Sequence, residues 1–529
     1  MEALRDLRVL TSDSAGSHTQ ALDNIVQKDG AGDLSQLIIN YSQDKDRLSL
    51  LLSTLSLASS SDHHTTSLVL CSNFLMEAID ALQSPQLALP LVNLLELLHK
   101  ALLSGDEEFL HQKVNLRKLI LFCSDQMTSQ ELSLCEICSS LVVDALSLTT
   151  DAVLQDMIRI VLASKMKDPN ATVELRYATV LSKILSKSDF HFYTCLESRV
   201  VAGIISMCRN SDDVLMQVCS MELLLEFPKT ASGIRYLFGE GIISWLLDLS
   251  GGMSGGVSTS ADPILSAQAL TTLMAVLRSP LLETQTVSSS EISSSSLHLH
   301  VKLMTRILQT IVGTFDSTDD GVRLSGLSAL STFACMSANS LVLVVNDAEV
   351  TSKWLGLLNS ARAEIKGAVL HSVARVLECG KISSLSTSSI LSNASAIKDA
   401  KLHLLEMVGR TKAMPVITYL VQVVRTPIDE MRMGAMLVMK AVGSENGWGL
   451  DLLFLNPSSA SSGFRTFLEK RGTEHTQEGR LLKFSILQAI SQNPTFDHLP
   501  DAIRHKVSLM ISQGPFYREP ETIVGVMEM

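Results

Sequence analysis

The chain has 529 residues, 46% of them hydrophobic and 19% charged, with a formal net charge of −12. That much apolar side chain excludes a disordered polymer, and the acidic balance excludes the basic stripe with which proteins hold nucleic acid or anionic membranes. No stretch reaches the roughly 18 uncharged apolar residues that a membrane span needs.

Aromatic residues make up only 5% of the chain, with three Trp. The core is therefore built from Leu, Ile, Val, Met and Ala, the usual filling of stacked helices. The nine Cys lie scattered through apolar helical segments, where reduced, buried thiols are expected. The start, "MEALRDLRVLTSDSAG", lacks the apolar core of a signal peptide. A monomer in the cytoplasm, and also the nucleus, is the expectation.

Residues 1–160 read as an N-terminal set of helical repeats with blurred boundaries, including the Leu-rich run "LALPLVNLLELLHKALLSG" (Leu87–Gly105). Here Cys135-Glu136-Ile137-Cys138 forms a CxxC, with Cys123 and His111 nearby. Zinc would want a second pair at a defined spacing on loops. This pair lies instead in the apolar run "ELSLCEICSSLVVDAL", which points to core cysteines.

Residues 161–529 repeat a plan. "DPNATVELRYATVLSKIL" (Asp168–Leu185) opens with Asp-Pro and runs helical. "SDDVLMQVCSMELLLEF" (Ser211–Phe227) opens on polar residues that accept orphan N–H groups. It is apolar at Leu215, Val218, Met221, Leu224 and Leu225, with Pro228 as its stop. A short helix through Tyr236 and Leu237 follows, then Gly239-Glu240-Gly241 turns the chain into "IISWLLDL". The plan recurs in "STDDGVRLSGLSALSTFA" (Ser317–Ala334) and its follower "VTSKWLGLLNS". It recurs again in "AEIKGAVLHSVARVL" (Ala363–Leu377) and "PIDEMRMGAMLVMKAV" (Pro427–Val442).

Aligning these helices puts Thr179, Glu222, Ser328, His371 and Leu437 in register. Forty-three residues separate Thr179 from Glu222, and again Ser328 from His371, within the armadillo/HEAT period of roughly 40–47. The expected fold is all-α: an ARM/HEAT-type α-solenoid, a right-handed superhelix of stacked helical repeats. Three Ser/Gly-rich insertions interrupt it, near 250–263, 283–297 and 382–396, and read as mobile loops. His298, His300, His63 and His64 flank polar loops without ligands at a useful spacing.

No phosphate-binding loop, dinucleotide fingerprint, HExxH or GxSxG pattern occurs. No enzymatic activity, cofactor or metal is expected. Solenoids work through extended concave surfaces. The candidate partner-binding row takes positions one turn apart on the inner helix of each repeat: Thr179 and Lys183, Glu222 and Glu226, Ser328 and Thr332, His371 and Arg375. Leu437 and Ala441 stand at the matching positions of the next helix. The Trp–Asn ladder with which nuclear-import adaptors hold basic peptides is absent.

Two stretches carry a family resemblance. One is "DDVLMQVCSMELLLEFPKTASGIRYLFGEGII" (Asp212–Ile243), with Asp213, Val214, Leu215, Cys219, Glu222, Gly233, Tyr236, Leu237, Glu240, Gly241 and Ile243 matching. The other is the ending "SQGPFYREPETIVGV" (Ser512–Val526), with Gly514, Pro515, Phe516, Tyr517 and Pro520. Both resemble the family of 26S proteasome non-ATPase regulatory subunit 5. The match is co-linear over roughly 165–529 and faint before it, and the Ser-rich insertions depart from it. The resemblance implies a chaperone for assembly of the regulatory-particle base. Such a protein binds the C-terminal domain of an ATPase subunit, beside a large non-ATPase scaffold subunit, and leaves before the particle matures. A generic armadillo adaptor, serving transport, the cytoskeleton or a ubiquitin ligase, is the other expectation. Residues 512–529 are expected to fold Phe516 and Tyr517 over the last repeat as a cap.

Overall fold

The computed structural model describes residues 87–103, 113–147, 162–166, 170–210, 212–251, 262–279, 294–379, 390–455, 459–470 and 476–517, with isolated positions elsewhere. Among them there is no strand, and no helix is long and apolar enough to cross a membrane. The chain divides into two compact units, 1–240 and 241–529. The change in the sequence pattern near 160 did not mark this division.

The first unit contains α1 (Ala88–Leu103), α2 (Lys113–Gln126), α3 (Leu132–Ser147), α4 (Ala171–Leu185), α5 (Asp189–Glu197), α6 (Val200–Asn210), α7 (Val214–Leu223) and α8 (Ala231–Gly239). Helices α1, α3, α4 and α7 pack successively, each on the next, while α5 and α8 pair in a second layer. Polar caps start the elements where the sequence places them. Asn170 caps α4 and Asp213 caps α7, its carboxylate accepting from the Leu215 and Met216 N–H groups.

In two respects this unit departs from expectation. Pro228 does not stop α7 abruptly: the helix tightens into a 3₁₀ turn over Leu224–Lys229, and the proline sits inside it. Leu215 is not part of the buried stripe. Its side chain is 69% exposed on the outer side of the first turn, whereas Met221 and Leu224 are fully buried.

The second unit contains α9 (Ile242–Leu249), α10 (Pro263–Leu277), α11 (Ser294–Gly313), α12 (Asp320–Ala334), α13 (Ala338–Asn346), α14 (Ala348–Gly356), α15 (Ala363–Glu378), α16 (Ile390–Thr411), α17 (Val416–Val423), α18 (Asp429–Gly443), α19 (Ser459–Glu469), α20 (Gln477–Ser491) and α21 (Asp501–Gln513). Its inner layer is a ladder, α10–α12–α15–α18–α20, in which each helix packs on the next. An outer layer backs it: α11 and α13 lie against α12, α13 and α14 against α16, and α17 against α18 and α19. The fold is all-α and of the armadillo/HEAT kind, repeat stacked on repeat.

Ladder helices run parallel. Arg362 at the start of α15 reaches Asp320 at the start of α12 at 2.9 Å, and Arg375 near the end of α15 reaches Thr332 near the end of α12 at 3.3 Å. The rungs α15 and α18 come closest, because glycine faces them on both sides. A Cβ added at Gly434 would lie 2.8 Å from Leu370 Cβ and 3.0 Å from the Gly367 carbonyl oxygen. Buried polar links tie the layers. Trp354 donates its indole N–H to Ser372 Oγ at 2.8 Å, and the Lys401 ammonium lies 2.9 Å from Glu445.

Three further expectations need correction or completion. Cys335 and Cys379 are bonded as a disulfide, so the reading of uniformly reduced thiols fails there. Each ends a ladder helix, and in-register neighbours bring the two Cα atoms to 5.2 Å. Among the Ser-rich insertions, 252–261, 280–293 and 381–389 lie outside the described residues, while 390–396 form the start of helix α16 and not a loop. At the far end Phe516 stands 51% exposed and so is not folded over α21. The rest of the tail, 518–529, lies outside the described residues.

Candidate functional site

In the first unit, Thr179 and Lys183 lie on α4, and Glu222 on its neighbour α7. Lys183 and Glu222 are exposed. Thr179 is half-buried and spends its hydroxyl on the Leu175 carbonyl, 2.8 Å away. Glu226 does not continue the α7 face. The 3₁₀ tightening after Leu223 changes the angular step per residue, and its carboxylate pairs with Lys229 at 2.7 Å. An acidic pair of free carboxylates, Glu222 and Glu226, is therefore not what the structure presents.

In the second unit the predicted residues meet. Ser328 and Thr332 lie on α12, His371 and Arg375 on α15, and Arg375 donates to Thr332 Oγ1. Ser328, His371 and Arg375 border a groove of about 670 Å³ across α12, α15, α18 and the start of α20. Leu324, Leu327, Ala368 and Met433 supply apolar lining. Desolvation by the surrounding helices lowers the His371 imidazole below its ordinary value. The Arg375 guanidinium is lowered for the same reason and by the nearby cation of Arg278, with Glu378 opposing. Leu437 is half-buried and Ala441 buried on α18, so the register continues there without a polar pair.

The other lip of the groove is acidic, and sequence reasoning missed it. Glu364, Asp429, Glu430 and Glu478 occupy the first turns of α15, α18 and α20. Acids in first turns offset the positive end of the helix dipole, and that local role disguises them in a sequence. The signal lay in their recurrence at the head of three successive ladder helices. Asp429 is engaged by Arg432 at 3.2 Å. Glu364, Glu430 and Glu478 are exposed.

The CxxC behaves as core. Cys135 and Cys138 are buried in α3, and a hydrogen bond with Cys138, reinforced by burial, pushes the Cys123 thiol up. Burial also raises Cys135, against the opposing pull of Arg176. Protonated thiols of this kind are weak nucleophiles and poor ligands. Among the described residues no group of three or more His, Cys, Asp or Glu is placed to hold a metal ion. Side chains of His63, His64, His298 and His300 lie outside the described residues.

Residues of the family-like block mostly have structural tasks. Asp213 caps α7. A Cβ at Gly233 would fall 2.0 Å from the Phe227 carbonyl oxygen, and Gly241 has φ +66°. The Tyr236 ring packs on Phe192 and Phe227 at centroid distances of 5.9 and 6.4 Å. Glu222 and Glu240 are left exposed.

No family model matches the chain, and no curated protein matches it. Solved structures do. An engineered protein is 17% identical over 55% of this chain and 96% of its own, with a TM-score of 0.33. A computationally designed armadillo repeat protein for modular peptide recognition is 12% identical over 53% and 98%, with a TM-score of 0.32. Kap121p is 9% identical over 97% of this chain and 55% of its own, with a TM-score of 0.44. At such identities and TM-scores the likeness says nothing about partners, and the assignment of fold rests on the helix stacking itself.

Proposed function

We propose that this chain is a non-catalytic repeat scaffold that works by binding another protein along its inner layer of helices. The observation that supports this reading is the groove across α12, α15, α18 and α20, with its apolar lining and two charged lips. Stacked repeats bury their apolar faces on each other and leave a broad ordered surface, which suits an extended partner better than a small substrate. A generic adaptor is the form of the proposal closest to these observations.

A narrower reading stands on the two matching stretches alone: a base-assembly chaperone of the 26S proteasome. It would hold the C-terminal domain of a base ATPase, next to a large non-ATPase scaffold subunit, and would act by occupying a surface needed later. Release would follow once ring assembly offers a stronger contact, since a ligand shifts an equilibrium only by its differential affinity. Affinity purification of the full chain from cytosol, followed by mass spectrometry, tests both. Recovery of free base ATPases without mature particles supports the narrower form. Other stoichiometric partners support the adaptor and overturn the chaperone. A chain that purifies alone overturns the scaffold reading.

A further inference from the structure

The two lips of the groove carry opposite charge, and they are fixed relative to each other by the parallel ladder. At the N-terminal lip stand the carboxylates of Glu364, Glu430 and Glu478, from three successive rungs. Among the described residues none of the three has a cation within salt-bridge distance. They contrast with Asp320 on the preceding rung, which holds both Arg323 and Arg362. The acid of the lip thus exceeds the cations available to it from α15 onward, whereas one rung earlier it is balanced.

At the C-terminal lip, Arg375 makes its side-chain hydrogen bond to a neutral hydroxyl, that of Thr332. A second guanidinium, Arg278 at the end of α10, is close enough to disfavour its charge. Glu378 is the carboxylate that opposes this effect at Arg375. Arg375 therefore stands at one lip, and three carboxylates at the other. Glu364 and Arg375 lie eleven residues apart on one helix, which at 1.5 Å per residue places them about 16 Å apart along its axis. Between them the lining is mixed: Ala368, Leu327 and Met433 supply apolar surface, and Ser328 and His371 supply polar groups.

We infer that this groove takes an extended peptide segment of a partner protein that is itself bipolar. The segment presents a Lys or Arg to the acidic lip and a carboxylate to Arg375. About five residues separate the two, because an extended chain advances about 3.3 Å per residue. Small apolar side chains lie between them. A purely basic segment would place a cation on the Arg375 guanidinium, and a purely acidic one would place a carboxylate on three others. The groove selects for the alternation of sign as well as for charge. This inference rests on the scaffold reading proposed above and specifies its ligand.

The test uses the full chain, immobilised and panned with a phage-displayed library of random twelve-residue peptides. Peptides with opposite charges about five residues apart are expected to enrich. Their binding should weaken at least about tenfold in Glu430→Lys and in Arg375→Glu, as expected when an attractive charge in a contact is made repulsive. Both side chains are exposed, and circular dichroism will show that the variants fold. Synthetic peptides with Lys and Glu exchanged should regain binding to the chain carrying both reversals. Enrichment of uniformly basic or uniformly acidic peptides overturns the inference. So does enrichment indifferent to the two variants, or no enrichment at all. Partners captured by the wild-type chain from cytosol and retained by both variants would overturn the groove while leaving the scaffold standing. A chain that captures no partner removes the scaffold itself.

Discussion

Replacing Gly434 with alanine probes the closest contact in the ladder and the support of the groove at once. In an open helical position the substitution stabilises, by roughly 1 kcal/mol, since alanine has the better helix propensity and restricts the unfolded chain. At Gly434 the new methyl would meet Leu370 Cβ at 2.8 Å, the Gly367 carbonyl oxygen at 3.0 Å and His371 Cδ2 at 3.3 Å. The first two belong to or adjoin the α15 backbone and cannot swing aside, so α18 must move outward by several tenths of an ångström. Overpacking of this kind costs about 1–3 kcal/mol, leaving a net loss of about 1 kcal/mol. Gly313 is the control, for a Cβ there would find nothing within 4 Å, and Gly313→Ala should gain about 0.5 kcal/mol. All three tryptophans, Trp245, Trp354 and Trp448, lie in the same unit as both glycines. Urea unfolding followed by tryptophan fluorescence therefore reads the right part of the chain. The two variants should move the midpoint in opposite directions. A Gly434→Ala protein that unfolds with or after wild type would refute the account of why α15 and α18 pack so closely.

Arg432→Met removes the cation facing Glu474, whose side chain is fully buried. Breaking one partner of a buried pair costs about 3–5 kcal/mol, and a loss below about 1 kcal/mol in the same urea assay would show the pair to be dispensable. In the first unit, Leu224→Asp puts an unpaired charge at a position with no exposure and should unfold that unit. Glu222→Lys, two residues away and exposed, should leave its circular dichroism unchanged. Asp189 accepts the Ser232 backbone N–H at 2.7 Å, and that bond holds its carboxyl below the usual carboxylate value. A depressed folded value means the contribution is full above the ordinary carboxylate value near 3.9 and fades as pH falls through the lower folded one. Asp189→Asn should therefore unfold with a shallower dependence on pH between about 5 and 2. An unchanged acid limb would count against the hydrogen bond as its source.

Much of the fold could be read along the chain because its causes are local. Asp213 and Asp319 were visible as helix starts, since a cap acts on N–H groups two or three residues away. The period linking Ser328 to His371 was visible because stacked repeats must each present an apolar stripe to the next. The second-unit half of the candidate row was legible for the same reason: residues in register on packed parallel helices fall side by side, as Thr332 and Arg375 do. Glu226 was misplaced because a change from 3.6 to 3.0 residues per turn leaves no mark in an apolar pattern.

The amino-acid sequence by itself determined that this protein is helical, repetitive and acidic, for those properties follow from residue type and spacing. Only the tertiary structure decided that Cys335 meets Cys379, that α15 and α18 close on each other through Gly367 and Gly434, and that carboxylates from three separate helix starts gather on one lip opposite Arg375. Those facts depend on the distance and rotation between neighbouring rungs. Such quantities are set by the summed packing of many side chains, and no single segment encodes them.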